Sequence, residues 1–226
     1  MCAAIEVITT PFFLNTTVNC FLVRAGDGFV LIDTGRFSKR AVIEGRLADA
    51  GCQPGNLKLI VLTHGDFDHC GNAAYLRKQC GAKVAMHVDD TGMVERGDMF
   101  WNRKQPNPLI KGLFGSMFRL SEADRFKPDW YLKAGDTLAA YGLDAEVIEL
   151  PGHSKGNIGI LTRSGDLFCG DLLGNVGKPD VWTMIDDPAA AKASVEKLRR
   201  YAIQTVYPGH GKPFAIETFL NHYQPK

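Results

Sequence analysis

Four side chains able to offer lone pairs to a divalent cation fall within one short stretch, LTHGDFDHCGN from Leu62 to Asn72: His64, Asp66, Asp68 and His69. Any two of them would be ordinary residues of a polar loop between a strand and a helix. All four together predict a metal-binding turn, because His nitrogen and carboxylate oxygen are the usual ligands of divalent metals. Gly65 gives the backbone room to fold these side chains toward one point. Ligands so close in sequence converge at little loop-closure cost. Three later motifs each place one more such side chain behind a glycine at the end of an apolar run: PGH at His153, CGD at Asp171 and PGHG at His210. Each alone reads as a turn residue. With the first four they make seven oxygen and nitrogen ligands, enough for two metals with positions left open for water.

The segments around these motifs predict the elements that carry them. LKLIVLT, Leu57 to Thr63, reads as a buried strand leading into the first motif. Ahead of it, strands are expected at Ile5 to Ile8, Val18 to Arg24 and Gly28 to Thr34, the last two joined by the hairpin turn AGDG. A helix from about Ser38 to Ala50 follows, stopped by Gly51, and a second from Cys70 to Gln79 ends at Gly81. Lys83 to Val88 is another strand. Further strands are expected at Ala145 to His153, Asn157 to Arg163 and Asp166 to Asp171, then a short one in QTVYPGHG. Asp187-Pro188 is a good helix start, and the helix is expected to run to about Tyr201 with Val195, Leu198 and Ala202 on its apolar face. A last helical turn or two covers Thr218 to His222. Two strand-rich halves, each with helices, predict a single α/β domain over 1–226: two sheets face to face with helices outside, in four layers.

One region breaks this rhythm. From about 92 to 131, Phe100, Trp101, Phe114, Phe118, Phe126, Trp130 and Tyr131 are interleaved with prolines and with basic residues such as Arg103 and Lys104. The expectation is an insert lying over the metal edge as a lid or pocket wall, whose basic residues meet an acidic or phosphate-bearing substrate. The alternative is a homodimer surface.

Composition excludes several classes. The net charge of +1 and the lack of a basic stripe argue against nucleic-acid binding. No segment approaches the roughly 20 apolar residues of a membrane span. The N-terminus lacks the basic and apolar regions of a secretory signal, and the six cysteines form no C-x-x-C pair, so reduced thiols and a cytoplasmic location are expected. His87 sits in an apolar strand and His222 near the C-terminus, and neither is taken as a ligand.

LIDTG, THGDFDH, PGHS, CGD and PGHG, in this order, resemble the motifs of the metallo-β-lactamase-fold hydrolase superfamily, over nearly the whole chain. The resemblance implies an αββα sandwich with a dinuclear site along one edge of the sheets. It implies that His64, Asp66 and His153 hold the first metal, that Asp68, His69 and His210 hold the second, that Asp171 bridges them, and that Asp33 of LIDTG stands behind the site. The usual pattern is H-x-H-x-D-H, and here the middle His is Asp66. That substitution leaves three carboxylates among the ligands, lowers the charge of the metal cluster by one and shifts preference toward manganese or iron, although zinc is the first expectation from the family. The implied chemistry is hydrolysis of an ester-like bond (lactone, thioester, amide or phosphoester) in a small-molecule substrate. A metal-bridging hydroxide attacks, and Asp68 orients it and shuttles a proton. A thioesterase like glyoxalase II is the weaker version, because only about sixteen residues follow His210, too few for that enzyme's helical C-terminal domain. A diiron redox enzyme related to flavodiiron proteins, which carry Glu at the position of Asp66, and a metal-stabilised binding protein are the alternatives.

Overall fold

Alternate residues of the same strands enter different cores. In β2 (Thr17–Ala25), Cys20 and Leu22 join one apolar cluster and Phe21 and Val23 another. In β3 (Gly28–Ile32), Leu31 parts from Val30 and Ile32, and in β4 (Leu57–Val61), Ile60 parts from Leu59 and Val61. Strands that are apolar on both faces must be covered on both. The first cluster is completed by Ile43 and Leu47 of α1 (Arg40–Asp49), Leu76 of α3 (Ala73–Cys80) and Met93 and Val94 of α4 (Thr91–Arg96). The second is completed by Val147 of β7 (Ala145–Glu149), Ile158 and Ile160 of β8 (Ile158–Thr162) and Phe168 of β9 (Asp166–Phe168). The outer face of that sheet gives Ile148, Leu161 and Leu167 to a third cluster with Ala191, Val195 and Leu198 of α5 (Pro188–Leu198) and Phe219 of α6 (Ile216–Leu220). Helix, sheet, sheet and helix make the expected αββα sandwich. The structure is a computed structural model and describes residues 4–13, 16–104 and 119–223.

The first sheet runs β1 (Ile5–Pro11), β2, β3, β4, β5 (Lys83–His87), β6 (Trp130–Leu132), antiparallel as far as β3 and parallel from there. The second runs β13 (Phe214–Ala215), β12 (Thr205–Tyr207), β9, β8, β7, with β9 and β12 parallel. Loops leaving the C-terminal ends of β3, β4, β7, β9 and β12 carry LIDTG, THGDFDH, PGHS, CGD and PGHG in turn, so the topology delivers all five motifs to one edge.

Several local readings shift. The helix expected at Ser38 begins with a 3-10 turn at Phe37–Lys39. The helix expected from Cys70 is two, α2 (Phe67–Cys70) and α3, with Gly81 in the left-handed conformation closing the second. They are parted at Gly71, where a Cβ would lie 2.7 Å from the Phe37 nitrogen and 2.8 Å from the Gly35 carbonyl, so the LIDTG loop packs directly on this backbone. Helix α5 stops at Leu198, leaving Ala202 exposed and Ile203 buried. The helix α4 and the strand β13 have no counterpart in the sequence reading, and neither do two further features. One is the ribbon β10 (Leu173–Val176) and β11 (Lys178–Val181); the other is β6, whose Trp130 and Tyr131 read as insert because three residues are too short to show alternation. Within the 92–131 insert, residues 105–118, including Phe114 and Phe118, lie outside the described residues. Among the described residues no helix is long and apolar enough to cross a membrane.

Buried polar side chains tie the motif loops together. Asp90, just past β5, accepts from the Gly65 amide (3.2 Å), the Ser154 hydroxyl (2.6 Å) and the Gly156 amide (2.7 Å), joining the loop of His64 to the loop of His153. Asn157 reaches the carbonyls of Leu150 and Cys169 and accepts from the Asp171 amide. Asn19 holds the carbonyls of Pro208 and Gly211 on either side of His210. Removing Asp90 would strip the acceptor from three buried donors at once, each costing about 1–3 kcal/mol when left unmet. Asp90→Ala is therefore expected to lower stability by about 3 kcal/mol or more in chemical denaturation; a loss under about 1 kcal/mol would contradict this clamp.

Candidate metal centre

Each of the four motif histidines has its Nδ1 occupied. His153 Nδ1 lies 2.6 Å from the Met184 carbonyl and His210 Nδ1 2.7 Å from the Thr17 carbonyl. A carbonyl oxygen only accepts, so both Nδ1 atoms carry the proton. His69 Nδ1 lies 2.9 Å from Asp33 Oδ2, which fixes the same tautomer. His64 Nδ1 lies 2.9 Å from the Thr63 hydroxyl, which itself donates to Asp33 Oδ2 at 2.8 Å, so the imidazole must be the donor here too. All four rings therefore turn an Nε2 lone pair inward when neutral. This orientation through the second nitrogen is the one metal-ligating histidines use.

The carboxylates complete two groups. Asp66 Oδ2 lies 3.0 Å from His153 Nε2 and 3.9 Å from His64 Nε2, and these three could hold one cation. Asp68 Oδ2 lies 3.7 Å from His69 Nε2 and 3.5 Å from His210 Nε2, and these could hold another. Asp171 faces both groups: Oδ1 is 3.5 Å from His69 Nε2, and Oδ2 is 3.1 Å from His210 Nε2 and 3.9 Å from His153 Nε2. All seven side chains are buried. Asp33 also falls within reach of His64 and His69, but its oxygens are used by Thr63 and the back of the His69 ring.

Two observations test whether a cation fits. His64 Nε2 and Asp171 Oδ1 are buried and have no hydrogen-bond partner among the described residues. His69 Nε2 and His210 Nε2 face each other at 3.5 Å. Buried lone pairs without donors are costly, and a cation satisfies them together. The electrostatics agree. Burial and the neighbouring His69 and His153 push His64 well below the ordinary imidazole range, leaving its lone pair free. Burial opposes charge on Asp171 and Asp66, yet His210 and His69 hold the first well below the usual carboxylate range, and Arg103 and His153 hold down the second. Burial opposes protonation of His69 too, but Asp171, Asp68 and Asp33 hold it up at about 10. His210 is raised by Asp171 and Asp68 against burial, and Asp68 itself is raised, chiefly by burial. The site concentrates negative charge that protons or cations must balance.

The glycines before the last three candidate ligands act for different reasons. Gly152 (φ +148°) and Gly170 (φ +55°) take backbone conformations that side chains disfavour. At Gly209 the constraint is space, because a Cβ would run into Asp171 Oδ1 and lie 2.7 Å from His69 Cε1. Sequence reasoning placed Arg103 among residues meeting a substrate, whereas it donates to Asp66, and it missed the clamps Asp90, Asn19 and Asn157. It also missed Trp182, which stacks on His210 at 4.4 Å with the rings 5° apart. Asn19 inside the apolar run VNCFLVR was the one available signal of a buried polar clamp.

The chain matches the family model of the metallo-beta-lactamase superfamily over residues 15–210. It is 30% identical over 181 residues to the hydroxyacylglutathione hydrolase GloC of Haemophilus influenzae, covering 78% of this chain and 76% of that protein. It is 29% identical over 223 residues to the acyl-coenzyme A thioesterase MBLAC2 of Bos taurus, covering 88% and 75%. Among solved structures, TTHA1623 in a di-iron-bound form superposes with a TM-score of 0.71 at 26% identity, over 94% of this chain and 96% of that one. With its five motifs on one edge of an αββα sandwich, the chain belongs to the metallo-beta-lactamase superfamily, as one of its hydrolases.

Proposed function

We propose that the chain hydrolyses acyl thioesters with two divalent cations, one held by His64, Asp66 and His153, the other by Asp68, His69 and His210, and Asp171 shared. The observation that carries this reading is the common tautomer: four rings anchored through Nδ1 and aimed inward through Nε2. When bound, two such cations lower the pKa of a shared water and polarise the scissile carbonyl. The chain's own residues supply the rest. Asp68, a buried carboxylate facing His69 and His210, is placed to orient the attacking water and to pass its proton toward the departing thiol. Trp182 stacked on His210, and Phe12 at 5.3 Å from the same ring, offer an apolar wall for an acyl group. The choice of thioester rests on the relatives, since both GloC and MBLAC2 are named for hydrolysis of an acyl group from a thiol. Zinc suits the four imidazoles. The carboxylate of Asp66 and the di-iron form of TTHA1623 make iron and manganese the other metals to load.

With zinc, manganese or iron restored to metal-stripped protein, an acyl-glutathione or acyl-coenzyme A substrate is expected to exceed a lactone, an amide and a phosphodiester in kcat/KM by about tenfold or more, a transition-state difference of roughly 1.4 kcal/mol. Faster turnover of a phosphodiester would overturn the thioester reading.

Loading should also release protons. At pH 7 the metal-free protein keeps His69, at about 10, protonated, and a cation needs the Nε2 lone pair that this proton occupies. Apparent affinity should therefore climb as pH rises toward that value. Titration calorimetry in two buffers of different ionisation enthalpy reads the release directly, and zero release at pH 7 would contradict the assignment.

Asp33→Asn tests the tautomer argument. The carboxamide can still accept from the Thr63 amide through its oxygen, but its NH2 then meets the Thr63 hydroxyl and His69 Nδ1. Such a donor favours the tautomer of His69 that protonates Nε2 and blocks it as a ligand. The expected loss is roughly 10- to 100-fold in cation affinity by chelator competition, with the fold retained by circular dichroism; unchanged affinity would contradict it.

A further inference from the structure

Arg103 is nearly buried beside the first group of ligands, its side chain 9% exposed. Its Nη2 donates to Asp66 Oδ1 at 2.5 Å, its Nη1 to the His153 carbonyl at 2.5 Å, and its Nε to the Met99 carbonyl at 3.1 Å. The next residue is fixed as well: the Lys104 amide donates to Asp186 Oδ2 at 2.8 Å and its ammonium pairs with Asp187. One guanidinium therefore grips the side chain of Asp66 and the backbone of His153, two of the three residues assigned to the first cation. Asp66 is left with a single inward oxygen, Oδ2. Although Asp66 is the N-cap residue of α2, its carboxylate makes no capping bond to the helix, so Arg103 and His153 are its partners.

We propose that Arg103 is a positioning residue for the first cation, and that with Asp66 it forms a neutral pair standing in for the histidine of the usual H-x-H-x-D-H pattern. The proposal rests on the ligand assignment above. Its physical content is twofold. A carboxylate with one oxygen tied to a guanidinium can offer only the other to a metal, as an imidazole offers one nitrogen. The guanidinium's charge also cancels that of Asp66, so the cluster does not become less positive, as the sequence alone implies, when Asp replaces His. The balance works only for the pair. Putting a neutral imidazole at position 66 would leave a buried guanidinium beside a dication, with Asp90 and Asp186 as the remaining nearby negative charges. Removing the guanidinium alone would leave Asp66 free to swing or to chelate with both oxygens.

The test is a double-substitution cycle read by cation binding rather than turnover. Metal-stripped wild type, Asp66→His, Arg103→Met and the double variant are each titrated with zinc against a chromophoric chelator, and the bound zinc is counted by elemental analysis. Wild type is expected to bind two cations. Each single variant should weaken one of them roughly 10- to 100-fold, and the double variant should recover most of that loss. The other cation, held by Asp68, His69 and His210, should bind unchanged in all four proteins and so report that the variants are folded. A double variant as weak as the sum of the singles would overturn the pairing while leaving the two-cation reading intact. One cation in wild type and two in Arg103→Met would overturn it differently, by showing that the guanidinium, with Nη2 only 3.4 Å from His153 Nε2, occupies the first position itself. Wild type that binds no zinc would sink both this proposal and the ligand assignment beneath it.

Discussion

The site depends on the far side of each imidazole. A histidine can present Nε2 to a buried cation only if something accepts from its Nδ1, and two of the four rings rely on one carboxylate for this. Asp33 takes the Thr63 amide on Oδ1 at 2.8 Å, and on Oδ2 it takes the Thr63 hydroxyl and the His69 ring, while the same hydroxyl receives the His64 ring. To sit there, Asp33 adopts a left-handed backbone at φ +59°, a conformation that Asp tolerates better than most residues. The LIDTG loop is thus part of the machinery of the neighbouring THGDFDH loop. Their joint packing at Gly71 and the bond from the Thr34 amide to the His69 carbonyl at 2.6 Å keep the two in register.

The sandwich makes this possible because parallel strands end at the same edge. Strand ends alone fix a site only to within the slack of their loops, and here hydrogen bonds between loops remove the slack. The Ile158 amide donates to the Thr63 carbonyl, Gly209 to Gly170, and Asn175 to the His210 carbonyl. The second joins two loops that carry candidate ligands, and the first and third tie such loops to the start of β8 and to β10. Burying three candidate-ligand carboxylates and four imidazoles in one volume works against folding, since charge is costly in a dry interior unless it is paired. The two sheets compensate through cores in which the central strands are apolar on both faces, and Arg103 offsets one of the negative charges directly.

The pattern of legibility follows from range. Every candidate ligand was readable because each sits within a few residues of an apolar strand and a glycine, and the structure brings all seven together. The layers were readable because two-sided apolar strands such as LKLIVLT demand two covers. What the sequence hid depends on partners far along the chain. Arg103 is 37 positions from Asp66, within a stretch whose aromatics and basic residues suggested a substrate-facing surface, and nothing local marks it as turned inward. Asp90 looks like an ordinary acidic cap after a strand, yet it joins Gly65 to Ser154 and Gly156. The short strands β6, β10 and β11 owe their pairing to neighbours rather than to their own pattern.

The central claim is that two cations sit against Nε2 atoms whose tautomers the protein has fixed in advance. Anomalous diffraction from crystals of the metal-loaded protein, collected at the absorption edge of the bound metal, addresses it most directly. The account predicts two peaks, one among His64, Asp66 and His153 and one among Asp68, His69 and His210, with the Asp171 carboxylate between them and all four rings bound through Nε2. A single peak, or any of these rings turned to coordinate through Nδ1, would contradict it.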